Sequence, residues 1–154
     1  MNVKRCLSGL GWMALCLVAA SGRAQAACTI STTPVAFGNY DVFSPTDLDS
    51  TGTVTIQCHA NDKDVTVWLD RGGSPSFNPR TLVKAGEPLP LNYNLYTDGA
   101  RSIIWGDCTA GTSCYGPARP GNRPVMLTVY GRIPAGQDAS AGLYQATVVA
   151  TVNW

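Results

Sequence analysis

The sequence predicts an all-β, immunoglobulin-like β-sandwich, on three observations. Apolar residues recur at every second position in short runs, no stretch past the N-terminal leader keeps a helical period, and Gly, Pro, Asn and Asp clusters separate the runs at sandwich-like spacing.

The leader comes first. Residues 1–26 read as a secretory signal peptide, with Lys4 and Arg5 as its charged start, an apolar middle from Leu7 to Ala20, and a cleavage site at Ala24-Gln25-Ala26. Ser8, Gly9 and Gly11 interrupt the apolar run, which is too short to hold a ~30 Å bilayer core as a permanent anchor. The expectation is a domain over residues 27–154 that is exported and not membrane-embedded. Gln25 stands three positions before Cys28, where a lipidation site carries an aliphatic residue, and so argues against a lipoprotein.

A first strand is expected over 29–37. Val54, Ile56 and Cys58 then share a face within 53–58, followed by Val65, Val67 and Leu69 within 64–70 and Leu91, Tyr93 and Leu95 within 90–96. Ile103 and Trp105 form a short run in 102–105, and Val125, Leu127 and Val129 a longer one in 124–132. The clearest alternation closes the chain: Tyr144, Ala146, Val148, Ala150, Val152 and Trp154 on one face, Gln145, Thr147, Thr151 and Asn153 on the other. Turn clusters at Asn61-Asp62, Arg71-Gly72-Gly73, Asp98-Gly99, Gly116-Pro117 and Pro134-Ala135-Gly136 separate the runs. Seven or eight strands around one core follow, with no linker or repeat to mark a second domain.

Charge excludes some partners. The chain holds 11 Lys+Arg and 10 Asp+Glu, and the leader removes Lys4, Arg5 and Arg23, which leaves 8 basic and 10 acidic residues, a net −2. Neither a nucleic-acid footprint nor a polybasic membrane patch is present in that balance.

Of six cysteines, Cys6 and Cys16 leave with the leader. Cys28, Cys58, Cys108 and Cys114 remain, an even set that reads as two disulfides formed in an oxidising compartment such as the periplasm. Three pairings are open. The short Gly-rich loop between Cys108 and Cys114 favours that pair, with Cys28 joined to Cys58.

Catalytic groups are hard to name. His59, directly after Cys58, is the chain's single histidine and reads as a loop residue. The Cys108-x5-Cys114 spacing lacks the paired knuckles of a zinc site. Asp47, Asp49, Asp62, Asp98 and Asp138 fall in predicted turns, where aspartate caps its own backbone. No nucleophile elbow, phosphate loop or dinucleotide fingerprint occurs, so the reading is of a non-enzyme with no catalytic residue, cofactor or metal. Two aromatics are candidates for surface binding: Trp68, on the opposite parity from Val67 and Leu69, and Tyr115, beside the disulfide loop. The alternative for Trp68 is packing against a second sheet or loop.

Several segments together resemble the spore coat protein U domain, found in secreted pilins of the archaic chaperone-usher route. They are Val35-Ala36-Phe37-Gly38-Asn39-Tyr40-Asp41, Gly52-Thr53-Val54-Thr55-Ile56-Gln57-Cys58, Leu91-Asn92-Tyr93-Asn94-Leu95-Tyr96-Thr97-Asp98, Trp105-Gly106-Asp107, Val129-Tyr130-Gly131-Arg132-Ile133-Pro134-Ala135-Gly136-Gln137, and Gly142-Leu143-Tyr144. The resemblance implies an incomplete sandwich lacking its last strand, whose open groove takes a strand from a periplasmic chaperone and then, at the outer-membrane usher, from a neighbouring subunit. It supports the Cys28–Cys58 pairing and places Tyr144, Ala146, Val148, Ala150, Val152 and Trp154 along the groove.

The sequence departs from the family at Ala146, where an aspartate is common, and in its extra Cys108/Cys114 pair. Cleavage after Ala26 also leaves only Ala27 ahead of Cys28. The expectation is a surface pilus subunit that accepts a strand without donating one, and so stands at the tip. The alternative is a self-contained secreted coat or biofilm-matrix protein that binds polysaccharide or a cell surface.

Overall fold

Wherever the sequence alternates most clearly, one face turns inward. In the computed structural model, which describes residues 28–86 and 88–154, Val54, Ile56, Val65, Val67, Leu69, Leu91, Tyr93 and Leu95 are all buried. Each aliphatic side chain removed from water in this way contributes about 1.5–3 kcal/mol. The expected leader lies outside the described residues.

Eight strands result: β1 (Thr29–Thr33), β2 (Leu48–Gln57), β3 (Val65–Leu69), β4 (Arg80–Leu82), β5 (Leu91–Tyr96), β6 (Tyr115–Ala118), β7 (Val125–Ile133) and β8 (Ala150–Asn153). One sheet has the order β1-β2-β7-β5-β4 and the other β6-β3-β8, with every strand pair antiparallel. Their inner faces meet at a shared core, as in a sandwich. Cys28 is bonded to Cys58 and Cys108 to Cys114, as expected. The first bridge ties the start of β1 to the end of β2 across a sequence separation of 30, a loop whose closure is worth about 3–4 kcal/mol in the chain-entropy account.

Four elements differ from expectation. β1 ends at Thr33, so Val35 and Phe37 leave the sheet and pack on the core from an irregular segment. Residues 102–105 are no strand. The Asp98 carboxylate accepts the N–H groups of Ser102 and Ile103, the chain turns through Arg101 at φ 57°, and only Trp105 enters the core while Ile103 stays 49% exposed. β6 runs through Gly116-Pro117, a dipeptide that reads as a turn. β4 has no apolar pattern to betray it, because its first inward residue is Arg80.

Arg80 is 0% exposed. Its guanidinium donates four hydrogen bonds: Nε and Nη2 to the Asp70 carbonyl (3.1 and 2.9 Å), Nη1 to Asn94 Oδ1 (2.8 Å), and Nη2 to the Trp105 carbonyl (2.7 Å). Phe77 lies against it, 5.1 Å from ring centroid to guanidinium carbon. Burial pulls the Arg80 pKa below its ordinary value, and the fields of Tyr93, Asp70 and Asp107 oppose that. A charge held by carbonyl dipoles is tolerable only while every donor is satisfied. It thereby joins the end of β3, β4, β5 and the Trp105 segment at one point.

Asp49 is not a turn residue but sits in β2 opposite Arg132 of β7. The pair is bidentate, at 2.8 and 2.9 Å, with Arg101 at 3.2 Å from the same carboxylate and Asp47 at 3.2 Å from Arg132. The Arg132 hydrogen bond, helped by Arg101, holds the Asp49 pKa below the usual carboxylate value against a smaller desolvation effect. Because the pair is partly solvated it is worth no more than about 0.2–1 kcal/mol.

Two outcomes are expected. Arg80→Met takes the guanidinium from the Asp70 and Trp105 carbonyls, leaves Asn94 Oδ1 with the Leu95 N–H alone, and should lower unfolding stability by about 3–5 kcal/mol, read as a lower urea midpoint at unchanged m. For Asp49 the folded-state pKa is depressed, so its contribution is complete above the unfolded value of about 3.9 and fades as pH falls through the folded one. Asp49→Asn should therefore be less stable than wild type at pH 6, with the gap closing below about pH 4.

Candidate functional site: an open cleft between the sheets

The site is built from two segments outside the regular ladders. The first, residues 34–43, leaves β1 and crosses the inner face of the larger sheet. Two glycines make room for it. A Cβ on Gly52 would meet the Thr33 carbonyl at 2.7 Å, and one on Gly131 would stand 2.6 Å from Val35 Cγ1 and 2.7 Å from Phe37 Cζ. Val35 and Phe37 fill that space, and Phe37 meets Tyr93 edge-on with centroids 6.1 Å apart.

Farther along, the Tyr40 hydroxyl donates to the Pro134 carbonyl (3.0 Å) and accepts the Gln137 N–H (2.9 Å). The Gln137 side-chain amide in turn pairs with both backbone groups of Asn92, accepting its N–H at 2.7 Å and donating to its carbonyl at 2.9 Å. Gln137 thus completes the start of β5 as a strand residue would, and Tyr40 ties the first bank to it. The Ser50 hydroxyl adds a bond to the Ala36 carbonyl at 2.6 Å.

The second bank is the C-terminal run. Its alternation of half-buried and exposed residues holds from Tyr144 to Ala150, yet the ladder with β3 begins only at Ala150. Before that, Gln145 exchanges both backbone hydrogen bonds with Val83 after β4, at 2.9 and 3.0 Å. Val149 is bonded through both backbone groups to Asp70. The chain here bridges from one sheet to the other.

Between the banks lies a cleft of about 1070 Å³. Leu69, Leu82, Leu91, Leu95, Val129 and Ile133 lie along its base, with Val35 and Phe37 on one side and Tyr144, Ala146, Val148 and Ala150 on the other. Phe43 (91% exposed) and Leu143 (75% exposed) also belong to its lining. Among the described residues, Asp41 is the single charged one in the lining. Chemically, such a trough can take a long, uncharged, apolar occupant. β8 is the outer strand of its sheet, and its first residue, Ala150, belongs to the lining, so the outer backbone edge starts at the opening.

Of the residues singled out from sequence, Tyr144, Ala146, Val148 and Ala150 are brought together here. Val152 and Trp154 are not among the lining: Val152 faces Val67 within β8, and Trp154 lies past the strand, 51% exposed. Trp68 and Tyr115 are not brought together either. Tyr115 is register partner to the buried Val67 and packs on the core, whereas Trp68 is opposite Thr151 on the outer face of that sheet. His59 is an exposed turn residue whose N–H bonds Asp62 Oδ2 at 2.8 Å. Among the described residues, one group of potential metal-ligand atoms converges, that of Cys28, Cys58 and Asp62, and both sulfurs there are consumed by their disulfide. Gly52, Gly131, Tyr40, Gln137 and Asp70 escaped notice as site residues, although four of them stand in segments whose pattern is distinctive.

Fold and cleft together define an immunoglobulin-like sandwich with an uncovered trough between its sheets. The family model of the Spore Coat Protein U domain matches residues 14–151, and the chain belongs to that family. Protein U of Myxococcus xanthus is 36% identical over 129 residues, which cover 77% of this chain and 70% of that protein. The fold is also that of a chain in the crystal structure of the CsuC–CsuE chaperone–tip adhesion subunit pre-assembly complex from the archaic chaperone-usher Csu pili of Acinetobacter baumannii. That match has a TM-score of 0.59 at 22% identity over 84% of this chain, which spans 40% of the other chain's length.

Gly131→Ala tests the packing of the first bank. The added methyl has to displace Val35 and Phe37, and overpacking of this kind costs about 1–3 kcal/mol. The thermal midpoint should fall by several degrees, with a loss of the Phe37–Tyr93 contact visible in aromatic NMR shifts.

Proposed function

We propose that this domain is a subunit of a chaperone-usher surface pilus, and that its cleft accepts a β-strand supplied by another chain. The observation that carries the reading is the predominantly apolar trough of about 1070 Å³ that reaches the start of β8, the outer strand of its sheet. An inner sandwich face left open in water, next to an unpaired edge, is an aggregation hazard unless a strand covers both. A donated strand meets each need at once: its backbone extends the sheet and its alternate side chains fill the trough. The partners are then a periplasmic chaperone, the outer-membrane usher and a neighbouring subunit. The route is export, periplasm and cell surface, and the role is structural or adhesive, not enzymatic.

The expected leader supports a position in the pilus. With cleavage after Ala26, one residue precedes Cys28, whose sulfur is already committed to the Cys58 bridge. A strand rises only ~3.3 Å per residue, so that remnant is too short to span a neighbour's groove. The subunit receives a strand and gives none, which suits the tip.

The test is periplasmic expression with and without the cognate chaperone. A one-to-one soluble complex is expected with it, and aggregated or degraded protein without it. Val148→Lys places a charge in the trough and should abolish co-purification. A monomer that folds cooperatively alone would overturn the proposal and favour the second reading, a self-contained secreted coat protein, for which the family's description as a Spore Coat Protein U domain speaks.

A further inference from the structure

The register of the second bank depends on one corner of the fold. Asp70 follows β3 and meets Val149 twice: its N–H donates to the Val149 carbonyl at 3.0 Å, and its Oδ1 accepts the Val149 N–H at 2.9 Å. The same oxygen accepts the Gly72 N–H at 2.9 Å, and the Asp70 carbonyl is held by the buried Arg80. Gly72, at φ 63°, lies flat against the bank: a Cβ there would stand 2.8 Å from Val148 Cγ2 and 3.1 Å from the Thr147 carbonyl.

Both polar backbone groups of Val149 are therefore turned toward β3. In an extended chain successive residues direct these groups to opposite sides, so those of Val148 and Ala150 turn to the open edge while their side chains enter the cleft. Val149 itself keeps its side chain outside, 54% exposed.

Resting on the strand-accepting reading above, we propose that Asp70 is the positioning residue of the acceptor edge. By taking up both Val149 backbone groups it dictates that an incoming strand pairs with Val148 and Ala150. A slip of one residue would present Thr147 and Val149 to the trough in their place.

The probe is a fluorescein-labelled peptide of eight alternating threonines and valines, titrated by anisotropy into the full chain freshly released from its purified chaperone complex. Asp70→Ala should weaken capture by about tenfold or more. Asp70→Asn, which keeps an oxygen for the Val149 N–H, should stay within about threefold of wild type. That split separates positioning from general destabilisation, which the thermal midpoints of the variants' chaperone complexes report. Capture by Asp70→Ala equal to wild type, or equal losses in both variants, would overturn the inference alone. Wild-type protein blind to the peptide would sink it together with the strand-accepting reading.

Should Asp70→Ala fail to fold, amide hydrogen exchange on wild type decides. Peptide should raise protection at Val148 and Ala150 and leave Val149 unchanged. A gain confined to Thr147 or Val149 would overturn the proposal.

Discussion

Backbone hydrogen bonding has two sides on every strand, and the molecule is organised around the places where one side has no regular partner. The larger sheet satisfies its interior through β2, β7 and β5, with a long continuous ladder between β2 and β7 and a short one between β7 and β5. At the cleft the ladders stop, and side chains stand in for strands: the Gln137 amide completes Asn92, and the Asp70 carboxylate completes Val149. These substitutes hold two banks apart at a spacing that a packed core would otherwise close.

The arrangement separates stability from accessibility. The disulfide at the base of β1 and β2, the Arg80 cluster at the opposite sheet edge, and the Asp49–Arg132 pair on the outer face all lie off the cleft lining. Core strands can thus be firm while the trough between residues 34–43 and 139–150 stays open. Buried apolar contact supplies most of the favourable energy, and the polar fixtures choose which of several similar packings is adopted.

Legibility in the sequence followed the physics of each element. Strands with one wet and one dry face, such as β2, β3 and β5, announce themselves by alternation, and the C-terminal bank did so even where it makes no ladder. β4 did not, because Arg80 occupies its inward position and only tertiary acceptors make that tolerable. Gly116-Pro117 masks β6, and the shared parity of Ile103 and Trp105 points both inward although the Asp98 turn rotates Ile103 out. Within the site, apolar lining residues could be read from period two. Tyr40, Gln137 and Asp70 could not, since a hydrogen bond spanning 45 to 97 positions leaves no periodic trace. The parity of Trp68 against Val67 and Leu69 points it outward, where the sheet register also places it, whereas Tyr115 carries no such signal and turns to the core opposite Val67.

The bridge between Cys28 and Cys58 has a mechanical meaning as well. The chain from residue 28 to residue 58 is closed into a covalent ring that carries both β1 and β2, so a β1 that frays from its neighbour stays tethered at the end of that pair and can rebuild its ladder from there.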